Sequence, residues 1–137
     1  MSPTRPARSD ADLRAAHEAA LDLARVAAGA ADEKAGEQTM VLDVGAVLAI
    51  TDAFVIASAG NKRLVRTIAE HIEEVVRQRL ERSPLRTEGF TDLQWVLLDY
   101  GDVVVHVFTD ETRRFYEIER LYRDVPVVAW ERDPAPQ

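Results

Sequence analysis

The sequence predicts an α/β (α+β) fold in which a mixed β-sheet of about five strands is covered by helices. Three observations carry this reading. Residues 9–35 and 62–82 place apolar side chains at helical spacing. Short β-branched and aromatic runs at 40–44, 53–59, 95–100 and 103–108 sit between turn residues. The first two runs follow each other with no helix between them and the last two form a hairpin, so the sheet is expected to be mixed rather than purely parallel. A chain of 137 residues has room for one domain and little for a second.

Residues 1–8 hold two prolines and no apolar periodicity, which predicts a mobile N-terminal tail over 1–10. Ser9 and Asp12 match a capping box. Leu13, Ala16, Ala20, Leu23, Ala27 and Ala30 then mark one face of a helix that Gly36 stops. The stripe is mostly alanine, so the helix should pack closely. MVLDV at 40–44 and AFVIASA at 53–59 predict strands, the second fully buried and ending at Gly60-Asn61. Asn61 is an N-cap for the next helix, with Val65, Ile68, Ile72, Val75 and Leu80 inward. Arg66–Glu70, Glu73–Arg77 and Arg77–Glu81 are spaced to pair on its exposed side. Ser83-Pro84 ends it, 85–88 suggests a short strand, and 88–92 a turn. WVLLDY and VVVHVF flank Gly101-Asp102 as a hairpin. Thr109 and Asp110 offer caps for a last helix, with Phe115, Ile118 and Tyr122 inward and the pairs Arg113–Glu117 and Glu119–Arg123 outward. VVAW is expected to be extended, and 131–137 a mobile C-terminal tail, leaving 11–130 as the single domain.

Composition narrows function. Seventeen basic against twenty-four acidic residues give a net charge of −7, which argues against a nucleic-acid or anionic-membrane partner. The acidity is concentrated after residue 83, so a charged partner of that half should be basic. Cysteine is absent, which excludes a disulfide framework, a thiolate zinc site and a cysteine nucleophile. No apolar run approaches the roughly 18 residues of a membrane span. Asp10 and Asp12 fit a transit peptide poorly, and a cytoplasmic soluble domain is expected.

Tests for catalytic chemistry fail. Ser58 in IASAG lacks the nucleophile elbow. His17 and His71 belong to no His-Glu-x-x-His arrangement, and spacing suggests no metal or other cofactor. Ala59-Gly60-Asn61-Lys62 falls short of a phosphate loop. Asp10 and Asp12, the only Asp-x-Asp, lie at a helix start. Asp99 and Asp102 straddle a tight turn, where they serve either turn hydrogen bonds or a partner. His106 alternates with Val104 and Phe108, either as a satisfied buried histidine or as a polar contact on a binding face. Trp95 is either core or an interface anchor, whereas Val103, Val105 and Val107 read as core.

DVGAVLAITDAFVIA (43–57), WVLLDYGDVVVHVF and RRFYEIERLYRDVP, together and in this order, resemble the ribosomal silencing factor family, also termed Iojap-like, from about Leu21 to Val128. The resemblance implies a nucleotidyltransferase-like topology without that group's catalytic carboxylates. It also implies binding to the large ribosomal subunit through ribosomal protein uL14, a block to small-subunit joining when nutrients are short, and a homodimer when free. Carried over by motif, the partner-binding residues would be Glu88, Trp95, Asp99, Tyr100, Asp102, His106, Arg114, Phe115, Tyr116 and Glu119. Ala59 stands where the family usually has glycine, Leu64 where glutamine is common, and Tyr122 where tryptophan is usual. Two rival readings are a metal-dependent nucleotidyltransferase-like enzyme and a homodimeric structural module with another basic partner.

Overall fold

The computed structural model describes residues 9–131, so both expected tails lie largely outside it. Helix α1 (Asp10–Glu33) is followed by β1 (Glu37–Asp43), β2 (Ala53–Ala59) and helix α2 (Lys62–Leu80). Then come β3 (Arg86–Glu88), β4 (Trp95–Asp99), β5 (Val103–Thr109), the short helices α3 (Asp110–Tyr116) and α4 (Ile118–Leu121), and β6 (Val127–Val128). The strands form one sheet in the order β3-β4-β5-β2-β1-β6. Six strands are present rather than about five, because VV at 127–128 adds to the outer edge of β1. The sheet is mixed: β2 runs parallel to β5, and every other pair is antiparallel.

Capping follows local chemistry. The Ser9 hydroxyl accepts from Asp12 N at 3.1 Å and Asn61 Oδ1 from Leu64 N at 2.9 Å. Thr109 caps α3 in the same way. Gly36 is needed where α1 ends, since a Cβ there would lie 2.8 Å from the Ala31 carbonyl oxygen. Glu81 closes α2 in the left-handed region.

One face of the sheet is sealed. Alanines 20, 24, 27, 28 and 31 of α1 and Val65, Ile68, Ala69, Ile72 and Val76 of α2 pack on Val41, Val55, Ala57, Val96, Leu98, Val103, Val105 and Val107. The alanine stripe lets α1 approach closely, as its composition predicts. Its first two turns overhang the sheet, so Leu13 and Ala16 are exposed rather than buried. On α2, Leu80 is likewise exposed and Val76 takes the inward place. Only the Arg66–Glu70 pair forms as spaced, at 3.4 Å; Arg77 turns back to Glu74 at 2.6 Å.

The last helix differs most from expectation. Glu117 adopts φ 45°, which breaks the segment into α3 and α4, so that Phe115 before the break no longer shares a face with Ile118 and Tyr122 after it. Phe115 is therefore 79% exposed, while Arg113 is buried. Ile118 and Tyr122 do pack inward, on the second face of the sheet.

Candidate docking face

The second face carries the alternate residues of the same strands. Cross-strand pairs Trp95–Phe108, Leu97–His106 and Asp99–Val104 lie on it, continued by Phe54, Ile56 and Ser58 of β2. Leu48, Ile118, Tyr122 and Val125 cover its β1–β2 side. Toward β3 and β4 no helix among the described residues covers it, and Trp95, Leu97 and Val104 stay partly exposed. Tyr116 closes one border, its ring centroid 5.1 Å from that of Trp95, and Phe115 packs on Tyr116 at 4.9 Å. The result is an aromatic ledge at the end of an open apolar sheet surface, the composition that protein interfaces favour.

Beneath the ledge, Trp95 Nε1 donates to His106 Nδ1 at 3.1 Å. The His106 ring also meets Phe54 edge to face at 4.8 Å. Burial pushes its pKa down to about 4, so the imidazole is neutral near pH 7. His106 is thus a buried histidine and not an exposed polar contact.

The remaining expected residues separate. Glu88, paired in register with Leu97, is exposed at the rim of this face. Asp99 is at the rim too, with Oδ1 accepting from Gly101 N at 2.8 Å and Oδ2 from Arg86 Nε at 2.9 Å. Asp102 is held by Arg82 through bonds of 3.0 and 2.8 Å. The hairpin-tip carboxylates are therefore matched within the chain, and Asp99 makes the turn hydrogen bond. Tyr100 points to the opposite, helix-covered side and is 1% exposed, so the partly exposed tyrosine expected there is instead core. Its parity along the strand decides this, since it alternates with Asp99. Burial raises the pKa of its phenol.

Arg114 and Phe115 border a polar cleft of about 710 Å³ with Asn61, Lys62, Gln94 and Asp110, next to the ledge. Glu119 lies away from it, paired with Arg113 at 3.2 Å. Arg113, expected outward, is the anchor of this region. Its guanidinium also donates to Ser58 Oγ at 3.0 Å, to Glu37 O at 3.2 Å and to Gln38 O at 2.8 Å. Those carbonyls are turned toward it where β1 bulges and Gln38 takes φ 48°. Neither the bulge nor the break at Glu117 has a sequence signal. Leu97 and Val104 were equally absent from the expected site, although period-two alternation from Trp95 points to Leu97.

A second polar cluster joins α1 to the sheet. The His17 ring nitrogens lie 2.9 Å from Asp52 Oδ1 and 2.9 Å from Asp43 Oδ2. Both nitrogens must donate to satisfy both carboxylates, so the ring is favoured as imidazolium and its pKa is raised. Among the described residues no three His, Cys, Asp or Glu side chains converge to hold a metal ion, and no helix is long and apolar enough to cross a membrane.

Comparison with known proteins supplies the context. The family model described as ribosomal silencing factor during starvation matches residues 17–137. A ribosomal silencing factor RsfS from Halalkalibacterium halodurans is 36% identical over 111 residues, covering 80% of this chain and 93% of that protein. A crystal structure of a Chromobacterium violaceum protein superposes with a TM-score of 0.72 at 26% identity, over 75% of this chain and 85% of the other. A mouse protein named mitochondrial assembly of ribosomal large subunit protein 1 is 30% identical over 84 residues, 60% of this chain and 37% of its own length.

Proposed function

This chain belongs to the ribosomal silencing factor family, and from that premise we propose that it binds the large ribosomal subunit through protein uL14 by its open sheet face. Bound there, it excludes the small subunit by steric overlap and represses translation under nutrient limitation, in the cytoplasm. The observation that carries this reading is the uncovered stretch of β4 and β5, where Trp95, Leu97 and Val104 lie partly exposed beside Tyr116 and Phe115. Apolar and aromatic side chains are left at the surface there while the other face of the same sheet is sealed by two helices. The name of the mouse relative couples a member of this group to the large subunit, which supports the choice of particle. When free, the chain covers the same ledge by forming a homodimer.

The mechanism is mass action and needs no turnover: the fraction of large subunits withdrawn from joining equals the fraction occupied. Glu88 at the rim and the net charge of −7 favour a basic partner surface and speed encounter. Asp99 and Asp102 contribute less than free carboxylates would, because Arg86 and Arg82 already neutralise them.

Sedimentation with separated ribosomal subunits at low and high salt tests the reading. The protein is expected to travel with the large subunit alone and to lower the yield of joined ribosomes in proportion to occupancy. Its absence from the large-subunit fraction at both salt concentrations, with joining unimpeded, would overturn it.

A further inference from the structure

We propose that His106 acts as a positioning residue, holding the Trp95 indole in place on the docking face from beneath. This rests on the docking role proposed above and adds to it a residue that never touches the partner. An indole N–H can only donate, so the His106 Nδ1 that receives it at 3.1 Å carries the lone pair. The neutral ring then bears its proton on Nε2. That atom is shielded from solvent and has no acceptor among the described residues.

A buried donor without an acceptor is costly, and native interiors mostly avoid it. Ile56 and Phe108, on the same face beside His106, fill their places with hydrocarbon and incur no such cost. Among the described residues the one polar bond that the imidazole makes is the bond to Trp95. Packing alone would be served as well by an apolar ring, so the reason for histidine lies in that bond. Its effect is on a side chain with room to move: Trp95 is partly exposed, and without the acceptor its N–H would turn toward water. Turning would break the contacts of the indole with Phe108 at 4.8 Å and Tyr116 at 5.1 Å and dismantle the ledge. Because burial keeps the ring neutral, the acceptor is present across the ordinary pH range.

The test uses two variants of the full chain. His106→Phe keeps a ring and removes the acceptor; His106→Asn offers a carbonyl oxygen near the place of Nδ1. The first readout needs no ribosome. The ¹⁵N-labelled protein has two indole N–H resonances, and that of Trp130, which donates to Thr39 O at 3.1 Å, serves as the internal reference. The Trp95 resonance, assigned with Trp95→Phe, should move and exchange faster in His106→Phe, stay near its native place in His106→Asn, and leave Trp130 unchanged. The second readout is affinity for purified large subunits, expected to fall about tenfold or more in His106→Phe and to recover in His106→Asn.

An unmoved Trp95 resonance in His106→Phe would overturn the proposal, as would unchanged affinity alongside a moved resonance. If His106→Phe loses its fold, His106→Asn decides: a native Trp95 resonance with native affinity supports positioning, and a native resonance with lost affinity removes it. Failure of the unsubstituted protein to bind large subunits would remove the docking role itself, an outcome distinct from equal binding by parent and variant.

Discussion

Arg82 grips Asp102 across the β4–β5 turn, donating from two nitrogens at 3.0 and 2.8 Å while its Nη2 also reaches the Tyr100 carbonyl at 2.8 Å. The residue that follows α2 by two positions thereby ties that helix to the hairpin tip. The Asp102 carbonyl in turn accepts from Asp52 N at 2.8 Å and Ala53 N at 3.2 Å, fastening the tip to the start of β2. Asp102→Ala should therefore lower stability by about 1–2 kcal/mol, since charge-assisted bonds are lost from a partly exposed site. Urea unfolding reads this as a lower midpoint with an unchanged slope. Reversing Asp102 to lysine probes this clasp first and partner electrostatics second.

Stability should depend on pH through His17. Hydrogen bonds to Asp52 and Asp43 raise its pKa above the ordinary 6.5, so the folded state binds this proton more tightly than the unfolded chain. The sign follows: the stabilisation is complete below about 6.5 and is lost as pH rises through the folded pKa. Comparing unfolding midpoints of the parent and His17→Asn from pH 6 to 9 isolates the effect. The gap between them should narrow as pH rises, and a gap constant across that range would count against the charged ring.

Removing the buried guanidinium of Arg113 should be among the most damaging single changes. Arg113→Leu takes the guanidinium from Glu119 and the Gln38 carbonyl and leaves Ser58 Oγ and the Glu37 carbonyl with only each other, and about 3 kcal/mol is expected for breaking a buried ion pair and its network. Hydrogen exchange should accelerate across 110–121 before the α1–α2 side responds. Uniform acceleration over the whole chain would contradict the anchoring role.

Two glycines predict opposite outcomes. Gly89 has φ +89°, and a Cβ there would overlap the Trp95 carbonyl oxygen, so Gly89→Ala must displace the start of β4 and cost roughly 2 kcal/mol or more. Gly29 lies within α1 with open space around it, and Gly29→Ala should add about 0.5–1 kcal/mol. Thermal unfolding of the two variants side by side checks both signs.

Phe115→Ala is expected to separate the proposed docking from folding. With 79% of its surface exposed and its ring on Tyr116, Phe115→Ala should change stability by no more than about 0.5 kcal/mol. Association with large subunits should nonetheless weaken, by about tenfold if the ledge is the energetic centre. Equal retention in the sedimentation assay would exclude Phe115 from the contact.

The amino-acid sequence by itself determined the elements whose signals are local. Caps at Ser9, Asn61 and Thr109, the alanine face of α1, the strand at 53–59 and the Gly101-Asp102 hairpin all form as their side chains dictate, because hydrogen bonds within four residues and the periods 3.6 and 2 need no distant partner. The mixed sheet followed from the order of those elements. Only the tertiary structure decided which side of each strand would be covered, and hence that Tyr100 is core while Trp95 and Leu97 border solvent. It alone brought Arg113 inward to carbonyls 75 and 76 residues away and matched Asp99 and Asp102 with Arg86 and Arg82. A charged side chain reads as a solvated surface until the fold supplies a partner, and that supply depends on contacts between segments far apart in the chain.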